Sequence, residues 1–275
     1  MISVVICSRH SDIPQKLKDN ISNLIGLEYE LIVIDNSSNK YSIFTAYNEG
    51  VSRSRYPYIC FMHEDILFRT ENWGMNIVKH FEDKTIGLIG MAGTHFLPKF
   101  PAYWTHSPFI SEHNLTNDKG QIIECFKLDF FKGNDILDVV ACDGFCLFVR
   151  KDLFEVIAFD EKTFTGFHYY DMDICMQVLA NEHRVCICND VLVEHFWSDS
   201  YSKRSLDSFY KNQKIFFDKW KESFPISRGI DEIPGYVLER LNGVFGDAND
   251  AKNVRKSNAY KLGKLILAPL KFFKN

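Results

Sequence analysis

At 275 residues, 46% of them apolar and 15% aromatic, the chain can build one large α/β domain with appendages or two small domains, and disorder is excluded as its default state. A formal net charge of −4 gives no footprint for nucleic acid. No apolar run approaches the ~20 residues of a membrane-spanning helix, and Ile2–Cys7 is too short and lacks the basic lead of a secretion signal, so a cytoplasmic protein is expected.

In chain order, Ile2–Cys7 is a nearly continuous apolar run, the pattern of a parallel strand buried on both faces. Asp12 offers a helix N-cap, Pro14 suits a first turn, Leu17, Ile21, Leu24 and Ile25 recur at helical spacing, and Gly26 ends the helix. Leu31–Ile34 reads as a second strand, 43–51 as a helix, and Tyr58–Met62 as a third strand. A helix over 71–82 and a strand near Ile86–Met91 continue an alternation that predicts a doubly wound parallel sheet. From Thr94 to about Asp135, prolines and clustered aromatics indicate a long loop or a small β excursion. The rhythm resumes with Val139–Val149, short helices near 151–157 and 171–181, strands near Val185–Cys188 and Val191–Val193, and a charged helix over about 205–223. Of eight cysteines, six lie in or beside apolar runs and none forms a C-x-x-C pair, so reduced core thiols are expected rather than zinc ligands.

After Asp250 there is no acidic residue, while Lys252, Arg255, Lys256, Lys261, Lys264, Lys271 and Lys274 interleave with apolar side chains. Two readings stay open for residues 251–275: a membrane-surface anchor, or a helix packed on the domain with a solvated basic face.

Ligands of open parallel sheets bind beyond the carboxyl ends of the strands. Ser8-Arg9, Asp35-Asn36-Ser37 and His63-Glu64-Asp65 all fall at such ends. Neither G-x-x-x-x-G-K-[ST] nor a G-x-G-x-x-G after the first strand is present. A bound diphosphate would therefore need its charge met by a cation such as Mg²⁺ or Mn²⁺, which favours oxygen donors and needs few protein ligands. Asp65 is the natural carboxylate ligand. His63, two residues earlier in extended chain, is on the same side and would bind the metal through water or contact the ribose or phosphate. The competing reading makes Glu64 and Asp65 simple capping acids. Likewise Asp171 and Asp173 suit a first helical turn by charge alone, His195 suits a structural hydrogen bond, and Asp143-Gly144-Phe145 suits a bulge in a core strand. Trp197 and Ser200 would border a donor site, and Trp73, Trp104 and Trp220 would pack in the core or line an acceptor groove.

The segments Ile2–Arg9, Leu31–Ser37, Asn48-Glu49-Gly50, Tyr58–Asp65, Cys142–Arg150, Phe159-Asp160-Glu161 and Phe167–Cys175 resemble, in order, the motifs of family 2 glycosyltransferases. The resemblance spans roughly residues 1–200. It implies a GT-A fold, that is, a Rossmann-like nucleotide-binding mixed sheet flanked by helices. Residues 1–92 would form the nucleotide-sugar half, 93–200 the acceptor and catalytic half, and 201–275 a helical extension ending in the basic tail. It further implies an inverting enzyme using a nucleoside-diphosphate sugar, UDP-sugar favoured, with Mn²⁺ or Mg²⁺, and a glycan or lipid-linked acceptor in surface-polysaccharide assembly, in the cytoplasm or on the inner face of the plasma membrane.

Carried over by position, Asp171 would be the general base. Ser8, Arg9, Asp35, Asn48, Gly50 and Glu64 would bind the donor nucleotide, and His63, Asp65 and His195 the metal. Asp143, Gly144, Phe145 and Asp173 would face the acceptor. Two positions depart from the pattern: His63 stands where most members have aspartate, and Tyr170 where many have glutamate. Two other readings compete. A sugar nucleotidyltransferase would carry a glycine-rich basic loop that Ser8–Asp12 lacks, and a non-catalytic glycan- or nucleotide-binding relative has only His63 and Tyr170 in its support.

Overall fold

The computed structural model describes residues 1–107, 110–112, 115–116, 134–196 and 203–230. The basic tail, Trp197 and Ser200 lie outside the described residues.

The first part runs β1 (Ile2–Ser8), α1 (Gln15–Leu24), β2 (Tyr29–Asp35), α2 (Ile43–Arg53), β3 (Tyr58–Met62), β4 (Ile66–Phe68), α3 (Trp73–His80) and β5 (Ile86–Gly90). Pro14, not Asp12, is the residue that caps α1; the Asp12 carboxylate instead accepts from the Ile13 backbone N–H at 2.8 Å. Gly26 ends that helix at φ +73°, a left-handed conformation that costs glycine nothing. Ser42 caps α2, its hydroxyl accepting from the Thr45 N–H at 3.1 Å.

The chain continues through β6 (Ala92–Thr94), β7 (Phe96–Leu97), β8 (Ile110–Glu112), β9 (Leu115–Thr116), β10 (Ile136–Val139), β11 (Ala141–Cys142) and β12 (Cys146–Arg150). Then follow α4 (Tyr170–Ala180), β13 (Arg184–Cys188), β14 (Val193–His195), α5 (Lys203–Trp220) and β15 (Ile226–Ser227). The run Val139–Val149, one strand-like stretch in sequence, is thus divided among three strands, broken at Val140 and again at Asp143-Gly144-Phe145. The expected helix after it is only a short 3₁₀ turn, Lys151–Glu155.

The central sheet has seven strands in the order β10-β13-β5-β12-β3-β1-β2. β1 runs parallel to β2 and β3, and β13 parallel to β5. However, β12 is antiparallel to both β3 and β5, and β10 is antiparallel to β13. The sheet is therefore mixed, where strand–helix alternation alone predicted a parallel one. The strands of its middle are mostly apolar and buried, and α2 packs so closely on β1 that a Cβ on Gly50 would come within 2.3 Å of Val5. The seven described cysteines are free, six of them buried, as expected for core thiols.

A smaller sheet, β4-β14-β9, carries the second half back to the first. β14 pairs antiparallel with β4, His195 opposite Ile66, and the Phe196 N–H donates to the Asp65 carbonyl at 2.8 Å. Helix α5 returns over the front of α4, where Asn212 donates to the carbonyls of Thr165 and His168, each at 2.8 Å. Among the described residues no helix is long and apolar enough to cross a membrane.

Candidate active site

The carboxyl ends of β1, β2 and β3 lie side by side, Ser8 opposite Asp35 and Ile6 opposite Met62. Glu64 ties the first loop to the third strand end. It accepts from the Ser8 hydroxyl at 2.6 Å and from Arg9 Nε at 3.2 Å, leaving most of the arginine side chain exposed. Asp35 is exposed at the end of β2, and hydrogen bonds from Ser37 hold its carboxyl below the ordinary value. Asn48 and Gly50 have packing roles. The Asn48 amide donates to the Phe159 carbonyl at 2.8 Å and accepts from the Phe159 N–H at 3.1 Å, while Gly50 lies against Val5.

The β4–β14 pairing brings His195 to His63 and Asp65. The ligand atoms of these three side chains lie within 4.8 Å of one another. Asp65 Oδ1 is 3.9 Å from His63 Nδ1 and 3.6 Å from His195 Nε2, both too long for a hydrogen bond. This oxygen is buried without a hydrogen-bond partner, a costly condition for a charged group. The spacing suits donors arranged about a divalent ion at ~2.0–2.2 Å. Burial pushes the His63 imidazole down to about 4, so near neutrality it is uncharged and has a lone pair to give. Burial opposes ionisation of Asp65 too, but the facing His195 and His63 outweigh it and hold that carboxyl below its ordinary value. Two imidazoles and one carboxylate therefore fit a cation between them.

The surroundings of this cluster are apolar and tight. The Phe145 ring stacks on His195 at 4.6 Å between centroids and is 1% exposed, so it braces the histidine and has no face open to a sugar. His63 Nε2 is 2.8 Å from the Tyr170 hydroxyl. A Cβ on Gly144 would fall 2.2 Å from that same hydroxyl, so the missing side chain at 144 makes room for Tyr170.

A second group of potential ligands, His80, Cys188 and Asp190, is of another kind. His80 Nε2 lies 3.0 and 3.1 Å from the two Asp190 oxygens, and the Cys188 thiol donates to Asp190 at 2.7 Å. These atoms bond one another directly, and burial pushes the Cys188 thiol up, which keeps its proton in place.

Asp171 stands in the first turn of α4, 3% exposed. It accepts from the Tyr103 hydroxyl at 3.1 Å and from the backbone N–H groups of Gly144 at 3.2 Å and Met172 at 2.9 Å. Burial first, and the charge of Asp143 second, push its carboxyl up to about 7. A carboxylate so poised can take or hold a proton near neutral pH. Asp143 itself accepts from the Phe145 N–H at 3.1 Å. Asp173, 1% exposed, turns the other way. It accepts from Trp220 Nε1 at 2.8 Å, Lys219 Nζ at 2.9 Å and Gln177 Nε2 at 2.7 Å, so its oxygens are engaged in fastening α5 to α4.

The structure thus gathers His63, Asp65 and His195 in one cluster and joins Ser8, Arg9 and Glu64 in another. Asp171 lies close to Asp143. Sequence reasoning missed Tyr103, which comes from an irregular segment without periodicity, and the hydroxyl role of Tyr170. Trp73 and Trp104 are buried core residues, as expected, whereas Trp220 has the specific task of bonding Asp173.

Comparison with known proteins agrees with this architecture. A family model described as "Glycosyltransferase like family" matches residues 3–220. Among solved structures, GalNAc-T7 with UDP, GalNAc and Mn²⁺ superposes with a TM-score of 0.51 at 12% identity, over 95% of this chain and 57% of that one. TarS 1–349 of S. aureus in complex with UDP-GlcNAc superposes with a TM-score of 0.51 at 11% identity, over 89% of this chain and 72% of that one. The chain therefore spans little more than half the length of GalNAc-T7. No curated protein matches it by sequence. The fold shared with both solved structures is GT-A.

Proposed function

The chain belongs to the glycosyltransferase-like family, and on that premise we propose that it is an inverting, metal-dependent transferase moving a sugar from a nucleoside-diphosphate sugar to an acceptor hydroxyl. The observation that carries the reading is the buried, unpartnered Asp65 oxygen between two imidazoles. The two structural neighbours are complexes with UDP and Mn²⁺ and with UDP-GlcNAc, which favours a UDP-sugar donor.

In this reading His63, Asp65 and His195 would hold Mn²⁺ or Mg²⁺, which would supply positive charge to offset that of the departing diphosphate. Arg9, largely exposed beside Glu64, reaches toward the diphosphate, and the exposed Asp35 carboxylate accepts from the base. Asp171 takes the proton of the acceptor hydroxyl as that oxygen attacks the anomeric carbon. The attack comes opposite the diphosphate, the bond to the diphosphate breaks, and one displacement inverts the configuration. Asp143 borders the same space and raises the basicity of Asp171. The acceptor is a glycan or a lipid-linked saccharide, and the basic segment 251–275 would hold the enzyme on an anionic membrane surface near it.

A thermal-shift panel of nucleoside-diphosphate sugars with Mn²⁺, Mg²⁺ or EDTA tests this. Saturation at 100 times Kd stabilises by about 2.7 kcal/mol, a rise of several degrees for a chain of this size. The expected result is a rise with one UDP-sugar that disappears in EDTA, accompanied by slow metal-dependent hydrolysis of that donor. Metal-independent binding would defeat the metal site, and tight binding without hydrolysis or transfer would favour the binding-only alternative.

A further inference from the structure

We propose that the Tyr170 hydroxyl is a positioning group for the cation site: it receives the Nε2–H of His63 and so turns the lone pair on Nδ1 toward Asp65 and His195. The inference rests on the reading of His63, Asp65 and His195 as ligands.

A neutral imidazole has one N–H and one lone pair, and which nitrogen holds the proton depends on what the other faces. His63 Nε2 faces the Tyr170 hydroxyl at 2.8 Å, whereas Nδ1 faces Asp65 Oδ1 at 3.9 Å. At that length Nδ1 makes no hydrogen bond to the carboxylate. A proton on Nδ1 would point into the gap with no acceptor in reach, and Nδ1 would lose the lone pair that a cation needs. With the proton on Nε2, the hydroxyl accepts it and all three ligand atoms, His63 Nδ1, Asp65 Oδ1 and His195 Nε2, have electrons to give. Fixing a ligand's tautomer through its outer nitrogen is a recurring device of metal sites.

The hydroxyl is held as a positioning group must be. The Tyr170 ring is 3% exposed. It meets the rings of Phe44 and Tyr47 edge-on at interplanar angles of 86° and 76°, and Phe159 and Phe167 at 6.3 and 5.8 Å. On the remaining side, Gly144 leaves the space its Cβ would take. Tyr169, just before α4, has φ +73°, a strained conformation for a tyrosine. The turn it makes starts a helix whose first two residues are Tyr170 and Asp171. One helical turn therefore carries both the brace of the cation site and the proposed base.

The test is Tyr170→Phe in the full chain, which keeps the ring and removes only the hydroxyl. Mn²⁺ affinity measured without donor, by calorimetry or electron paramagnetic resonance, should fall about 10- to 100-fold, while the melting temperature in EDTA stays near wild type. Gly144→Ala, which pushes the hydroxyl aside, should produce the same loss, and the double variant should lose no more than either single one. Long-range ¹H–¹⁵N spectra of the metal-free wild type should find the His63 proton on Nε2, and in Tyr170→Phe divided between both nitrogens. Wild-type Mn²⁺ affinity in Tyr170→Phe, an Nδ1–H tautomer in the wild type, or a lowered EDTA melting point with intact affinity would each overturn the inference. If the wild type binds no Mn²⁺, the ligand reading fails instead, and the tautomer spectrum, which needs no metal, still decides the hydrogen bond.

Discussion

Replacing Asp171 with asparagine should remove catalysis and, above neutral pH, make the protein more stable. The carboxyl is 3% exposed, and burial with the neighbouring charge of Asp143 pushes it up from 3.8 to about 7. The folded chain therefore holds this proton more tightly than the unfolded chain does. That binding favours folding fully below about 4, fades as the pH rises, and is lost once the pH passes 7. At 1.36 kcal/mol per unit, a difference of about three units corresponds to roughly 4 kcal/mol of destabilisation by the ionised group at pH 8. An asparagine of nearly the same shape is neutral throughout and escapes it. Asp171→Asn should accordingly exceed wild type by up to about 4 kcal/mol in urea unfolding at pH 8, with the gap closing toward pH 4. Transfer should fall about 10²–10⁴-fold with donor affinity intact. Wild-type turnover in the variant would refute the base, and a stability gap that does not widen between pH 4 and pH 8 would refute the perturbed carboxyl.

Three further outcomes follow from the same geometry. Tyr103→Phe removes a hydrogen bond to the ionised form of Asp171; at about 1.5–3 kcal/mol for a bond to a charged group, the acid limb of the pH–rate profile should move up by roughly one to two units, and an unmoved limb would mean that Tyr103 does not steady the carboxylate. Asp65→Ala removes the unpartnered oxygen and should abolish the difference in UDP affinity between Mn²⁺ and EDTA by calorimetry; a persisting difference would put the cation elsewhere. Asp173→Ala should cost about 1–3 kcal/mol in urea unfolding, because it leaves the Trp220 indole N–H without its acceptor, while Lys219 keeps its pairing with Asp160 at 2.7 Å. A cost below about 1 kcal/mol would show the clamp to be dispensable.

How far the fold can be read from sequence depended on the kind of signal. Strands β1 and β3 stand out because strands buried on both faces are apolar runs ended by polar residues, and β2, half-buried at the sheet edge, still carries the apolar run Leu31–Ile34. Direction leaves no such trace. Cys146–Arg150 is buried along its whole length between β3 and β5, so it resembles a parallel strand, and only the Asp143-Gly144 turn sends it back the other way. The same limit hid what α5 is fastened to. Its charged, amphipathic face announces a surface helix, but the pairing of Lys219 and Trp220 with Asp173 is a contact across 46 and 47 residues, which no local pattern encodes. The resemblance puts Asp173 toward the acceptor by its motif position beside Asp171, whereas its environment makes it a fastening.

The meeting of His63, Asp65 and His195 was legible because motif order linked residues that spacing alone leaves isolated. What could not be seen was that the two departures from the family pattern touch. His63 and Tyr170 are 107 positions apart, and each taken singly weakens the case for a working site, yet they meet at 2.8 Å. Acidic residues at both positions would bring two negative charges together in a buried space, where one of them must stay protonated. An imidazole and a phenol are both neutral there and satisfy each other with a single hydrogen bond. The histidine therefore needs a hydroxyl at position 170 as much as it needs the glycine at 144 that admits it, and the two departures are one change in the chemistry of the site.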